Sequence, residues 1–149
     1  NYIDLELKNL CERNIKINII GDIKKFPKKL RNKLNLLEKK TINNSLIQIN
    51  IALNYGSRQE IINSFKRIIY KNIKITEKNI SDHLYANKTP DPDLLVRTGD
   101  TKRLSNFLLW QMQYTEIFFE KKLWPDFNKK DYFKILRKFT KIKRNFGGI

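Results

Sequence analysis

The sequence is short of cysteine, histidine, acid and long apolar runs, and each shortage removes a class of answers. A single cysteine, Cys11, means that no disulfide framework holds the chain. This fits a reducing compartment, and no pattern of catalytic partners surrounds the thiol. The single histidine, His83, has no neighbour at a metal-ligand spacing and reads as a surface residue. No apolar run approaches the roughly 20 residues that a helix needs to cross a bilayer, and nothing at the start resembles a secretory signal. No internal repeat and no Gly/Ser linker divides the 149 residues, a length that suits one domain with a modest core. The chain begins with Asn1 rather than Met, as a fragment or a processed product would.

Acid is the largest shortage. Asp and Glu number 15 against 31 Lys and Arg, a formal net charge of +16. Such a surplus attracts anions: nucleic acid, acidic lipid or a phosphorylated substrate. Lys, Asn and Ile are abundant everywhere, however, as biased codon usage would make them, and Lys24, Lys25, Lys28 and Lys29 read equally well as a solvated face. A nucleic-acid-binding domain would be expected to show a helix-turn-helix, zinc or RNA-binding motif, and none stands out. Charge alone selects no ligand.

What is present alternates between two periods. Ile15, Ile17 and Ile19 alternate with Lys16 and Asn18 until Gly21-Asp22 ends the run, which reads as a strand. Leu46 to Leu53, Leu94 to Val96 and, more weakly, Ile117 to Phe119 are further short apolar runs with turn residues at their ends. Between them lie helical patterns. Leu30, Leu34 and Leu37 share a face; Ser57 and Glu60 have the spacing of a capping box ahead of a stripe of Ile61, Ile62, Phe65, Ile68 and Ile69. A weaker helix is expected from Thr76 to Tyr85, and an apolar, largely buried one from Leu104 to Tyr114. Asn128 is placed to cap a last helix with Tyr132, Ile135, Phe139 and Ile142 on one side. Strands alternating with helices predict an α/β fold, a largely parallel sheet with crossover helices.

In open α/β sheets ligands bind beyond the carboxyl ends of the strands. The rule selects Gly21-Asp22, Asn54-Tyr55-Gly56-Ser57-Arg58, and Arg97 to Ser105. In the last stretch Arg97 leaves the strand, Thr98-Gly99-Asp100 turn the chain, and Arg103 and Ser105 fall where the next helix is expected to begin. A helix N-terminus, two guanidiniums and a hydroxyl would suit a phosphate or diphosphate. The alternative is that both arginines make structural ion pairs with Asp93 or Asp100. Glu116 could hold magnesium near such a diphosphate, or could be an ordinary surface carboxylate. Trp110 and the run Leu123-Trp124-Pro125-Asp126-Phe127 read as core and turn residues.

The run Asp91-Pro92-Asp93-Leu94-Leu95-Val96-Arg97-Thr98-Gly99, then Arg103-Leu104-Ser105-Asn106-Phe107-Leu108-Leu109-Trp110-Gln111, resembles the signature of the cis-prenyltransferases of the undecaprenyl diphosphate synthase type. The likeness continues through Tyr114-Thr115-Glu116 and Leu123 to Phe127. It extends upstream to Ile19-Ile20-Gly21-Asp22 and Asn50 to Arg58, and ends at Phe146-Gly147-Gly148. The resemblance implies condensation of isopentenyl diphosphate onto an allylic diphosphate such as farnesyl diphosphate, with cis double bonds. It implies that Arg97, Arg103 and Ser105 bind isopentenyl diphosphate, that Glu116 assists with Mg2+, and that Asn54 and Arg58 lie near the active site. It further implies a homodimer in the complete protein and a cytoplasmic enzyme in transient contact with the membrane, with no nucleic acid as partner.

Two departures qualify that likeness. The family's amino-terminal motif, an Asp followed shortly by Gly-Asn-Gly-Arg, is not in this sequence. The chain is therefore expected to be the C-terminal portion of a cis-prenyltransferase domain, spanning 1–149, without the first strands and helices, and to be inactive alone. A non-catalytic partner subunit of a heteromeric enzyme is the alternative, disfavoured by the presence of Arg97, Arg103, Ser105 and Glu116. The family's terminal Arg-x-Gly, whose arginine reaches the neighbouring subunit, is matched here by Asn145-Phe146-Gly147, with Arg144 one place earlier.

Overall fold

Short apolar runs ended by turn residues become strands at all four expected places. The computed structural model describes residues 9–147, which fall into two compact units, the first ending at Lys88 and the second beginning at Thr89. In the first unit, β1 (Ile15–Ile20) and β2 (Ile47–Ala52) run parallel, in register from Ile15↔Ile47 to Ile20↔Ala52. A parallel pair needs a crossover, and α1 (Lys28–Thr41) supplies it. As the leucine spacing predicts, α1 buries Leu34 and Leu37, and it packs on β1.

α1 also closes the edge of β1 that faces away from β2. Thr41 Oγ1 accepts from the Ile17 amide at 3.1 Å, Glu38 Oε1 accepts from the Ile19 amide at 2.7 Å, and Asn44 Nδ2 donates to the Ile15 carbonyl at 2.7 Å. Backbone groups that would otherwise recruit a further strand are thus satisfied by side chains.

α2 (Ser57–Tyr70) follows β2, and a short α3 (Glu77–Ser81) packs beside it. Thr76 caps α3, its Oγ1 accepting from the Asn79 amide at 3.1 Å. The helix stops at Ser81, short of the expected Tyr85. The inner face of α2 differs from the apolar stripe. Ser57, Glu60, Ser64 and Ile68 are buried, whereas Ile62 and Ile69 are exposed. Ser57 is not the cap residue its spacing predicts: Gly56 holds that place, Ser57 lies inside the first turn, and the Glu60 carboxylate accepts from the Tyr85 amide.

In the second unit β3 (Leu94–Arg97) and β4 (Glu116–Phe119) are also parallel, in register from Leu94↔Glu116 to Arg97↔Phe119. The segment between them is not the helix its apolar content predicts. Ser105, Asn106 and Leu108 take positive φ angles of 50°, 61° and 44°. Such residues interrupt a right-handed hydrogen-bond ladder, and what remains is a chain of turns, with Phe107 bonded to Leu104 and both Gln111 and Met112 to Leu108. Only Gln111 and Met112 of that segment are buried.

After a 3-10 turn at Trp124–Asp126, α4 (Lys129–Phe139) begins as predicted at Asn128. Asn128 and Asp131 complete a capping box, and Ile135 faces the core. The Leu123–Phe127 run is a turn but not core: Trp124 is 72% exposed. Among the described residues no helix is long and apolar enough to cross a membrane.

Candidate active site

Arg97 ends β3, so its side chain leaves the carboxyl end of that strand. Its Nε donates to Thr101 Oγ1 at 3.0 Å, bracing the guanidinium against the loop that follows. The loop is pinned to the end of β4: Glu120 N donates to Arg97 O at 2.7 Å, Gly99 N to Lys122 O at 2.8 Å, and Asp100 N to Glu120 O at 3.2 Å. Farther along, Arg103 and Ser105 are exposed, and neither side chain has a hydrogen bond or ion pair among the described residues. The ion-pair alternative therefore fails for Asp93, whose carboxylate pairs with Arg144 at 2.5 Å. The expected helix N-terminus fails as well, because Ser105 opens a series of turns. Any affinity of this loop for an anion rests on two guanidiniums and a hydroxyl.

Glu116 is elsewhere on the strand pair. It begins β4 opposite Leu94, whereas Arg97 lies opposite Phe119. Three strand residues separate the two levels, about 10 Å at ~3.3 Å per residue. Alternation places Glu116 on the face of Leu94 and Val96, and Arg97 on the face of Leu95 and Phe119. The strand pair by itself does not bring these two side chains together. The Glu116 carboxylate is half-buried and has no hydrogen bond or ion pair among the described residues. No group of three His, Cys, Asp or Glu gathers among the described residues. Glu116 fits the role of a single carboxylate to magnesium, which needs phosphate oxygens and water to complete its shell.

The first unit brings its two predicted stretches together at the carboxyl ends of β1 and β2. Asn54 Nδ2 donates to Asp22 O at 2.9 Å, and Asp22 N donates to Asn54 O at 3.3 Å. Arg58 is exposed in the first turn of α2. What fixes this loop is not visible in the local sequence pattern. Glu60 is fully buried; its Oε2 accepts from the Tyr55 hydroxyl and its Oε1 from the Tyr85 amide at 2.8 Å. A small polar face at Ser57, Glu60 and Ser64 was the available signal, hidden by the capping-box spacing.

Arg144 is engaged within its own chain. Besides pairing with Asp93, it donates to the Tyr114 carbonyl at 3.2 Å and lies 4.6 Å from the Phe146 ring centre and 5.6 Å from that of Phe139. It fastens the tail to the start of β3. His83 is half-buried, its Nδ1 2.8 Å from Asn79 O.

Residues 1–147 match the family described as "Putative undecaprenyl diphosphate synthase". The chain belongs to this family. An isoprenyl transferase of Fusobacterium nucleatum is 43% identical over 149 residues, which cover 99% of this chain and 64% of the relative. A ditrans,polycis-undecaprenyl-diphosphate synthase ((2E,6E)-farnesyl-diphosphate specific) of Buchnera aphidicola from Acyrthosiphon pisum is 44% identical, covering 98% and 61%. The chain thus spans less than two thirds of these relatives. Among solved structures, a "probable undecaprenyl diphosphate synthase" of Campylobacter jejuni superposes with a TM-score of 0.91 at 38% identity, covering 98% of this chain and 69% of that one. Lavandulyl diphosphate synthase of Lavandula x intermedia, solved with dimethylallyl diphosphate, also gives 0.91, at 32% identity and 99% and 67% coverage. The α/β fold with parallel strands is the one these family members share.

Proposed function

We propose that this chain is part of an enzyme that adds isopentenyl diphosphate to an allylic diphosphate, with farnesyl diphosphate as the primer, making cis double bonds and a long polyprenyl (undecaprenyl) diphosphate. The observation that carries the reading is the loop after β3, with Arg97 braced on Thr101 and Arg103 and Ser105 exposed and unpartnered. Guanidinium forks and a hydroxyl are donors of the kind that diphosphate oxygens accept. Held there, isopentenyl diphosphate presents its alkene to the allylic carbon as an effectively intramolecular reactant. The alkene electron pair forms the new carbon–carbon bond, the carbon–oxygen bond to diphosphate breaks, and loss of a proton restores a double bond. Glu116 would hold magnesium together with phosphate oxygens, and the ion, when bound, supplies positive charge to the diphosphates.

The complete protein is read as a cytoplasmic homodimer that touches the membrane transiently. The Asp and Gly-Asn-Gly-Arg motif expected for the allylic diphosphate is not among these residues, so the 149-residue chain by itself is read as inactive.

The test is a steady-state assay of the intact protein with farnesyl diphosphate and labelled isopentenyl diphosphate. Losing one charge-assisted hydrogen-bonding group costs about 1.5–3 kcal/mol. Arg97→Ala and Arg103→Ala should therefore each raise KM for isopentenyl diphosphate by roughly 10- to 100-fold, with a smaller change for the primer. A rise confined to the primer would assign the loop to the other diphosphate. Absence of any polyprenyl product from the intact parent protein would sink the reading.

A further inference from the structure

Glu116 is the first residue of β4, a strand of four residues, and its carboxylate has no hydrogen bond or ion pair among the described residues. A side chain with nothing to hold it is placed by its backbone alone, and the end of a short strand is where backbone frays. Here the strand end is held. Glu116 N donates to Asp93 O at 3.0 Å, and Thr115 Oγ1 donates to Pro92 O at 2.6 Å. These bonds join the entry of β4 to the entry of β3. Arg144 spans the same two entries, Nη1 donating to Asp93 Oδ1 and Nη2 to Tyr114 O at 3.2 Å. The rest of the tail follows it onto Tyr114. The Phe146 ring centre lies 5.8 Å from that of Tyr114, and a Cβ at Gly147 would lie 3.2 Å from the Tyr114 hydroxyl.

We propose that Arg144 is a positioning residue for Glu116: its guanidinium clamps the entries of β3 and β4 and so fixes the carboxylate that would hold magnesium with a diphosphate. A solvated ion pair leaves both partners in water and contributes little. This pair is different. The Asp93 side chain is 68% exposed but that of Arg144 only 19%, because the guanidinium lies against the rings of Phe139 and Phe146. A planar fork can bond a carboxylate and a carbonyl at once, where the compact ammonium of a lysine lacks the geometry to bridge them. Groups one step removed from a metal set how its ligand is presented. With both terminal nitrogens bonded within its own chain, Arg144 does not turn its fork toward a neighbouring subunit. The inference rests on Glu116 being the magnesium carboxylate of the proposed function.

The experiment follows two properties of the intact protein that need no turnover. Binding of Mn2+, standing in for Mg2+, is titrated by electron paramagnetic resonance at one fixed concentration of isopentenyl diphosphate. Amide exchange across residues 114–119 is read by mass spectrometry. Arg144→Lys and Asp93→Ala should each weaken Mn2+ binding about tenfold and speed exchange at the Glu116 amide, with isopentenyl diphosphate affinity in the absence of metal as in the parent. The double variant Arg144→Lys, Glu116→Gln should bind Mn2+ no more weakly than Glu116→Gln alone, because both changes act through one carboxylate. Unchanged Mn2+ binding in Glu116→Gln would remove the magnesium reading itself, and this inference with it. Weaker binding in Glu116→Gln but parental binding in Arg144→Lys would overturn the positioning role alone. Loss of isopentenyl diphosphate affinity in Arg144→Lys, with Mn2+ binding intact, would overturn it by making Arg144 a substrate ligand.

Discussion

At Gly21 the backbone φ is 115°, and a Cβ there would lie 2.2 Å from the Leu53 carbonyl oxygen. The contact is with backbone, which cannot swing aside, so a side chain forces apart the carboxyl ends of β1 and β2. Gly21→Ala should cost about 3 kcal/mol, lowering the melting temperature by roughly 9 °C; an unchanged melting curve would refute the close approach. Glu60 makes a second test nearby. Glu60→Ala removes the acceptor of the part-buried Tyr85 amide, at about 1–3 kcal/mol, and the Glu60 bond of the Tyr55 hydroxyl. Glu60→Gln keeps an acceptor oxygen and should lose less in the same denaturant titration. Position 21 was legible as the end of a strand because glycine and aspartate stop an alternating run. Glu60 was not, since three-residue spacing from a serine looks the same whether the carboxylate turns back to the cap or inward to two tyrosines.

The elements divide in the same way. Four strands stand where short apolar runs put them, and α4 starts at the predicted cap. Asn128→Ala should cost about 1 kcal/mol, some 3 °C in melting temperature, by releasing the amides of Lys130 and Asp131. The same cap makes α4 sensitive to pH. Hydrogen bonds from Lys122 and from the Asn128 amide hold the Asp131 carboxyl below its ordinary range, and Asp131 in turn raises the Lys122 ammonium. For the depressed carboxyl, stabilisation is present above its unfolded value of about 3.9 and is lost as pH falls through the folded value. For the raised ammonium it is present below about 10.4 and is lost as pH rises through the folded value. Asp131→Asn should therefore melt lower than the parent at neutral pH, and the gap should close in acid. A gap that stays constant with pH would separate the cap from its charge. Residues 104–114 are the element that composition misread. Left-handed angles at Ser105, Asn106 and Leu108 break the ladder that an apolar segment of that length would otherwise complete.

For the molecule as a whole, family membership and the extent of the active site are separate questions. The match covers residues 1–147, yet the chain spans only 64% of the Fusobacterium relative. Activity is therefore expected from the intact protein and not from the 149 residues alone. Parallel assays of the two would decide this, and polyprenyl product from the shorter chain would overturn the expectation.

The sequence by itself determined the family and the strand positions, because each is written in contiguous residues whose local pattern carries the information. Only the tertiary structure decided that Glu116 starts β4 on the other face from Arg97, that Glu60 is buried and accepts from Tyr55, and that Arg144 is tied to Asp93. Register between strands and the burial of a polar side chain depend on residues far apart in the chain. No local pattern encodes them, and the packed fold does.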